Sequence, residues 1–236
     1  MKDKKLDFIE AILFDLDGTL IDIDLKRFVP AYLKALAKTV DHIIKPSKFI
    51  SLILKASNKM TNNDGKLTNL EIFMNSFFPL NGHSREEIEP LFNEFYEKDF
   101  SKLKKYTKKK PEARKVIKKA FDRGLDVVIA TTPLLPLTAI KQRLEWAELG
   151  DFEYKLITSY ENMRATKPNL LYFKQIVNYL GKVPENCLMV GDEDKDLAAA
   201  KIGCWTFLIE SINTDLKEDS PKPHFKGTLN DLMRML

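Results

Sequence analysis

Short apolar runs recur along the chain at AILFD (11–15), LDVVIAT (125–131), YKLIT (154–158), CLMVGD (187–192) and CWTFLI (204–209), and from Thr131 onward they alternate with helix-like segments. A strand that is apolar along its whole length must be covered on both faces, so such runs separated by helices point to a parallel α/β sheet. The intervening stretches carry helical spacing and stop signals. KPEARKVIKKAFDRG places Ala113, Val116, Ile117, Ala120 and Phe121 on one face and stops at Gly124. KPNLLYFKQIVNYLG repeats the design, with Pro168 suited to the first helical turn and Gly181 to the stop.

Residues 23–105 break this alternation. LKRFVPAYLKALAKTVDHII aligns Phe28, Tyr32, Leu33, Leu36, Val40 and Ile43 on one helical stripe, and helix-like segments follow at 47–57, 68–78 and 84–100. Ser84 and Glu87 form a capping-box pattern, while Pro90 predicts a kink or restart. The expected organisation is a core of 1–22 and 106–236 with a helical insertion at 23–105. MTNNDGKLTNLE has the spacing of a calcium loop, but its first ligand position is Met60, so a capped helix junction is expected instead. The basic stretch KDFSKLKKYTKKKPEARK reads as a solvated face.

The chain has 236 residues, 44% of them hydrophobic, enough for a substantial interior. Its formal charge of +4 suits an anionic partner without indicating nucleic acid. The charged start, MKDKKLDFIE, has no signal-peptide character, and no apolar run reaches the ~18 residues of a membrane span. A cytoplasmic protein without membrane association, monomeric or homodimeric, is expected. Cys187 and Cys204 fall in or beside apolar runs and read as reduced, buried thiols.

In an open α/β sheet, ligands bind at the carboxyl ends of the strands. Four such places carry unusual chemistry: Asp15 with Asp17, then Thr131 with Thr132, then Lys167, then Asp192 with Asp196. Taken singly, each has an ordinary structural explanation as a turn, a helix cap or a solvated charge. In AILFDLDGTL, Asp-Gly equally signals a hairpin turn. Yet Asp15 and Asp17 project to the same side of an extended chain, and two carboxylates about 4 Å apart repel by about 4 kcal/mol at an effective dielectric near 20.

Order and spacing change the odds. DLDGTL, a strand-terminal threonine, KP and VGDEDKDLAAAKIG together resemble the motifs of the haloacid dehalogenase superfamily, and the helical insertion resembles that family's cap. The resemblance implies a Rossmann-like, doubly wound parallel sheet with an inserted helical cap. It implies a Mg²⁺-dependent phosphatase that hydrolyses a small phosphorylated metabolite through an aspartyl phosphate. Asp15 would be the nucleophile, Asp17 the acid and then the base, and Lys167 the charge partner. Thr131, Thr132 and Lys167 would bind phosphate. Asp15, Asp192 and the backbone carbonyl of Asp17 would hold Mg²⁺, with Thr19 and Asp196 supporting. Counting charges over phosphate, Asp15, Asp192, Mg²⁺ and Lys167 leaves one negative charge in excess, so Asp17 is expected to carry a proton.

Glu193 stands where many members have serine or threonine, and Thr132-Pro133 replaces the commoner Thr-Asn. The alternatives are a phosphomutase acting on a phosphorylated sugar and a non-catalytic phospho-ligand-binding protein. A dehalogenase needs neither the metal nor the acid at Asp17. Lys26, Arg27, Tyr32, Asn58 and Asn62 are candidates to face the substrate from the insertion.

Overall fold

The computed structural model of the protein describes residues 6–210, 214 and 216–236. The strands are β1 (Ala11–Phe14), β2 (Ile21–Ile23), β3 (Thr107–Lys109), β4 (Asp126–Ile129), β5 (Leu156–Ile157), β6 (Cys187–Gly191), β7 (Trp205–Ile209) and β8 (Phe225–Gly227). The helices are α1 (Leu25–Lys38), α2 (Pro46–Thr61), α3 (Asn69–Phe77), α4 (Arg85–Glu94), α5 (Pro111–Asp122), α6 (Leu137–Trp146), α7 (Leu170–Leu180), α8 (Asp194–Leu197) and α9 (Leu229–Met235). A six-stranded sheet of order β5-β4-β1-β6-β7-β8, every neighbouring pair parallel, forms the centre.

The apolar runs become strands because their alternate side chains enter two different cores. Ile12 and Phe14 of β1 join one core with Val116 and Ile117 of α5, Ile140 of α6 and Leu232 of α9. Ala11 and Leu13 join a second core with Phe173, Ile176 and Val177 of α7. Helices therefore cover both faces of the sheet, which is the doubly wound arrangement.

The chain leaves this sheet after β1. Gly18 N–H donates to the Ile21 carbonyl at 2.8 Å, so the Asp-Gly turn is real. The strand that follows it, however, pairs antiparallel with β3 and does not double back on β1. Helices α1 to α4 lie between β2 and β3 in sequence, so the two strands bring the entering and departing chain side by side.

The loop before α3 ties this helical excursion to the sheet. Buried Asn69 donates through Nδ2 to the carbonyls of Pro133 and Ala165, each at 3.2 Å, and accepts from Asn63 Nδ2 at 2.9 Å. Thr68 and Glu71 form a capping box at the same place, so the calcium-like stretch is a capped helix junction. Phe100 stacks on Trp146 of α6 with ring centroids 5.3 Å apart.

Two local expectations need correcting. Pro90 neither ends nor restarts α4: the helix runs through it to Glu94, and Pro90 itself is exposed. Pro168 lies before α7, which is capped instead by Asn169, whose side chain accepts from Leu171 N–H at 2.9 Å. The basic stretch is laced by ion pairs such as Lys98–Glu94, Lys109–Glu148 and Arg114–Asp151. Among the described residues no helix is long and apolar enough to cross a membrane.

Candidate active site

β1 and β6 lie side by side with Phe14 opposite Val190, where the strand order reverses and open α/β sheets form their ligand crevice. Asp15 follows β1 directly, its N–H donating to the Val190 carbonyl at 2.8 Å. Asp192 follows Gly191 at the end of β6, and Asp196 stands in α8 just beyond. One carboxylate oxygen from each of Asp15, Asp192 and Asp196 lies within 4.8 Å of the others, and all three residues are buried.

Lys167 enters this group from the loop before α7. Its Nζ donates to Asp15 Oδ1 at 2.6 Å and to Asp196 Oδ1 at 2.5 Å, and its side chain is shut off from solvent. Burial alone would lower the pKa of a lysine, but Asp15 and Asp196 outweigh it and hold the ammonium well above its ordinary value. The carboxylates respond in the opposite sense. Burial, then the charges of Asp15 and Asp196, push Asp192 up to about 7. Burial also raises Asp196, against the pull of Lys167.

The loop after β1 is shaped around Asp192. Thr19 Oγ1 donates to Asp192 Oδ1 at 3.0 Å. Gly18 has φ +87°, and a Cβ there would sit 2.1 Å from Asp192 Oδ2, so the position needs glycine both for its backbone and for the carboxylate beside it. Across the site, the Thr131 carbonyl accepts from Thr158 Oγ1 at 2.8 Å and from the Tyr172 hydroxyl at 2.9 Å, which fixes the end of β4. Thr132 Oγ1 is buried and has no partner among the described residues.

Asp17 stands apart from the other carboxylates. Its Oδ2 accepts from Arg143 Nη1 of α6, and Arg143 is 3% exposed. Asp17 Oδ1 and Arg143 Nε are both buried without partners among the described residues. The charge count behind the proton expected on Asp17 left out Asp196 and could not include Arg143, and these two, being of opposite sign, cancel in it. Before substrate binds, the formal charges of Asp15, Asp17, Asp192 and Asp196 against Lys167 and Arg143 leave two net negative charges, the charge of one divalent cation. A buried set of hard oxygen donors with that deficit fits Mg²⁺.

Arg143 is the functional residue missing from the sequence reading, and its signal was legible. It falls on the stripe of Ala139, Ile140 and Leu144, the buried face of α6, where a cation has no ordinary place. Of the insertion candidates, only Tyr32 lines the cavity above the carboxylates. With Phe28 and Tyr32 facing in, Lys26 points to solvent and Arg27 lies over the Tyr106 ring at 5.4 Å. Asn62 bonds back to the Asn58 carbonyl at 2.8 Å.

Comparison with known proteins agrees with this geometry. The family described as haloacid dehalogenase-like hydrolase matches residues 9–202. Phosphoglycolate phosphatase of Aquifex aeolicus (strain VF5) is 27% identical over 195 residues, covering 82% of this chain and 80% of the relative. The Neisseria gonorrhoeae (strain ATCC 700825 / FA 1090) protein of the same name is 28% identical over 210 residues, covering 84% and 79%. Among solved structures, a HAD phosphatase from Thermococcus onnurineus superposes with a TM-score of 0.60 at 18% identity, covering 96% of this chain and 97% of that one. L-2-haloacid dehalogenase from Xanthobacter autotrophicus superposes with a TM-score of 0.56 at 15% identity, covering 96% and 98%. These likenesses in structure establish the fold alone.

Proposed function

Since the chain belongs to the haloacid dehalogenase-like hydrolase family, we propose that it is a Mg²⁺-dependent phosphatase of small phosphorylated metabolites, with core 1–22 and 106–236 and a helical cap at 23–105. The observation that carries this reading is the buried group of Asp15, Asp192 and Asp196 with Lys167 inside it. The names of the curated relatives support phosphoryl chemistry.

Asp15, Asp192 and the Asp17 carbonyl would hold Mg²⁺, with Asp196 beside them. The metal, when bound, supplies positive charge to the phosphoryl oxygens. Lys167 occupies Asp15 Oδ1, so the other oxygen is the one offered to phosphorus. In the first step an Asp15 oxygen–phosphorus bond forms and the ester phosphorus–oxygen bond breaks, the departing alkoxide taking a proton from Asp17. In the second step Asp17 takes a proton from water, the water oxygen bonds to phosphorus, and the Asp15–phosphorus bond breaks to release phosphate. Arg143 fixes the Asp17 carboxylate through Oδ2 and leaves Oδ1 for this proton traffic. The partnerless hydroxyl of Thr132, with Thr131, would donate to the phosphoryl oxygens.

The test is hydrolysis of p-nitrophenyl phosphate with Mg²⁺, with excess EDTA, and by Asp15→Asn. Activity that requires both the metal and Asp15 is expected. Equal turnover by the folded Asp15→Asn protein overturns the assigned nucleophile.

A further inference from the structure

The cavity above the carboxylates has a charged floor and apolar walls. It encloses about 360 Å³, and Asp15, Asp17, Thr131, Thr132 and Arg143 lie at its base. Its walls come from the helical insertion, through Phe28, Leu36, Ile53, Phe73, Met74 and Phe92. Leu25, Val29 and Leu54 also line it, and they are 46%, 40% and 53% exposed. A single exposed leucine needs no explanation, but large aliphatic side chains left in water around one opening mark a path for an apolar ligand.

Each cation of the lining already faces a carboxylate, although Arg143 Nε is left without a partner among the described residues. Arg143 is held by Asp17 and Lys195 by Glu193 at 2.5 Å, while Glu89 is held by Arg85 at 2.7 Å. The hydroxyls of Tyr32 and Tyr96 bond to one another at 2.8 Å. Among the described residues that line the cavity, no cation lacks a carboxylate partner, so a carboxylate on the organic part of a substrate would compete with one already present. Phosphoglycolate, which gives the curated relatives their name, carries such a carboxylate. Burying it here would desolvate it with no cation of its own to compensate.

We propose that this site, given the phosphatase reading on which the inference rests, takes phosphomonoesters of uncharged apolar alcohols, alkyl or aryl, with the chain lodged among the insertion helices. At roughly 30 Å³ per water-sized unit, the cavity holds about a dozen such units, room for the phosphoryl group and an organic part of about eight heavy atoms.

The experiment measures kcat/KM for ethyl, butyl, hexyl and octyl phosphate, with phosphoglycolate and p-nitrophenyl phosphate alongside, all with Mg²⁺. The value should rise about threefold to fourfold per methylene until the cavity fills, as burial of each methylene predicts. Phosphoglycolate should fall at least about tenfold below ethyl phosphate, the short ester without a charge, because a buried charge left unpaired costs more than a buried neutral group left unpaired. Leu54→Lys, at an exposed rim position that can change without unfolding the protein, should lower the octyl-to-ethyl ratio about tenfold by placing a charge beside the path of the chain. Hydrolysis of ethyl and p-nitrophenyl phosphate with a flat chain-length series, or with phosphoglycolate preferred, overturns this inference and leaves the phosphatase reading standing. Hydrolysis of none of the esters overturns both.

Discussion

Lys167→Met tests the electrostatics of the site without touching a group that bonds to phosphorus. The ammonium lies 2.6 Å from Asp15 and 2.5 Å from Asp196 in full burial, and methionine keeps most of the stem while deleting the charge. Removing one partner of a buried ion pair costs about 3–5 kcal/mol, because the charge left behind is uncompensated. That cost must depend on pH. Asp192 is already raised to about 7 and Asp196 is raised as well, and the variant lifts Asp196 further by deleting the cation bonded to it. A carboxylate whose folded pKa exceeds its unfolded value binds more protons folded than unfolded. Its penalty is then full above the folded pKa and disappears as pH falls toward the unfolded value near 3.9. Urea unfolding at pH 8 and at pH 5.5 should therefore show a large loss at the first and a much smaller one at the second. Saturating Mg²⁺ should restore about 2.7 kcal/mol at a hundred times its Kd. If the loss is the same at both pH values and indifferent to Mg²⁺, the variant reports lost packing around the stem, and the charge argument is wrong.

Gly18→Ala should lose at least a hundredfold in kcat/KM and about 1–3 kcal/mol in stability through backbone strain, because its Cβ collides with Asp192. Gly181→Ala, with φ +63° but open space around it, serves as the control and should change stability alone by about 1 kcal/mol. Arg143→Met should destabilise by about 3–5 kcal/mol at pH 8, and much of this should return in the Arg143→Met/Asp17→Asn double variant. Additive losses in that cycle, read from urea midpoints, would show that the pair is not coupled. Calorimetry of Mg²⁺ binding in two buffers at pH 6.5 should reveal proton release, since a metal must displace the proton that Asp192 holds below about pH 7, and the release should vanish by pH 9.

How much of this was legible in the sequence depends on the range of the interaction concerned. The central strands were visible because their apolar runs are buried on both faces, which leaves a one-dimensional trace. β3 and β8 left none, and β2 was legible only as the returning arm of a hairpin that does not form: each is three residues long and only partly buried, and IDI and TKK acquire strand form by pairing across the whole insertion. Within the site, Asp15, Asp192 and Lys167 could be placed by their positions after strand-like runs and by the resemblance. Asp196 was expected either to ligate the metal through water or to orient Lys167, and its carboxylate accepts from Lys167. The partner of Asp17 was not legible as a partner, because Arg143 lies 126 positions away and reaches Asp17 only after α6 has docked. Its buried helical register was the available clue.

The two cations that offset the carboxylates come from opposite sides of the sheet. Arg143 belongs to α6, whose apolar face joins one core, and Lys167 precedes α7, whose apolar face joins the other. The carboxylates, in contrast, sit on β1, β6 and the segments directly after them, the middle of the sheet. The charge cluster thus cannot be compensated until both helical layers have docked, and its cost falls on any partly folded state that buries the aspartates first. The apolar walls above act on the same charges. By excluding water they lower the local dielectric, which strengthens the Lys167 and Arg143 pairs and equally strengthens the repulsion that raises Asp192. Opening the walls to water should therefore relax the floor as well as loosen the grip on an apolar chain, so substitutions such as Ile53→Asn should draw Asp192 back toward its ordinary range while they reduce the preference for longer esters.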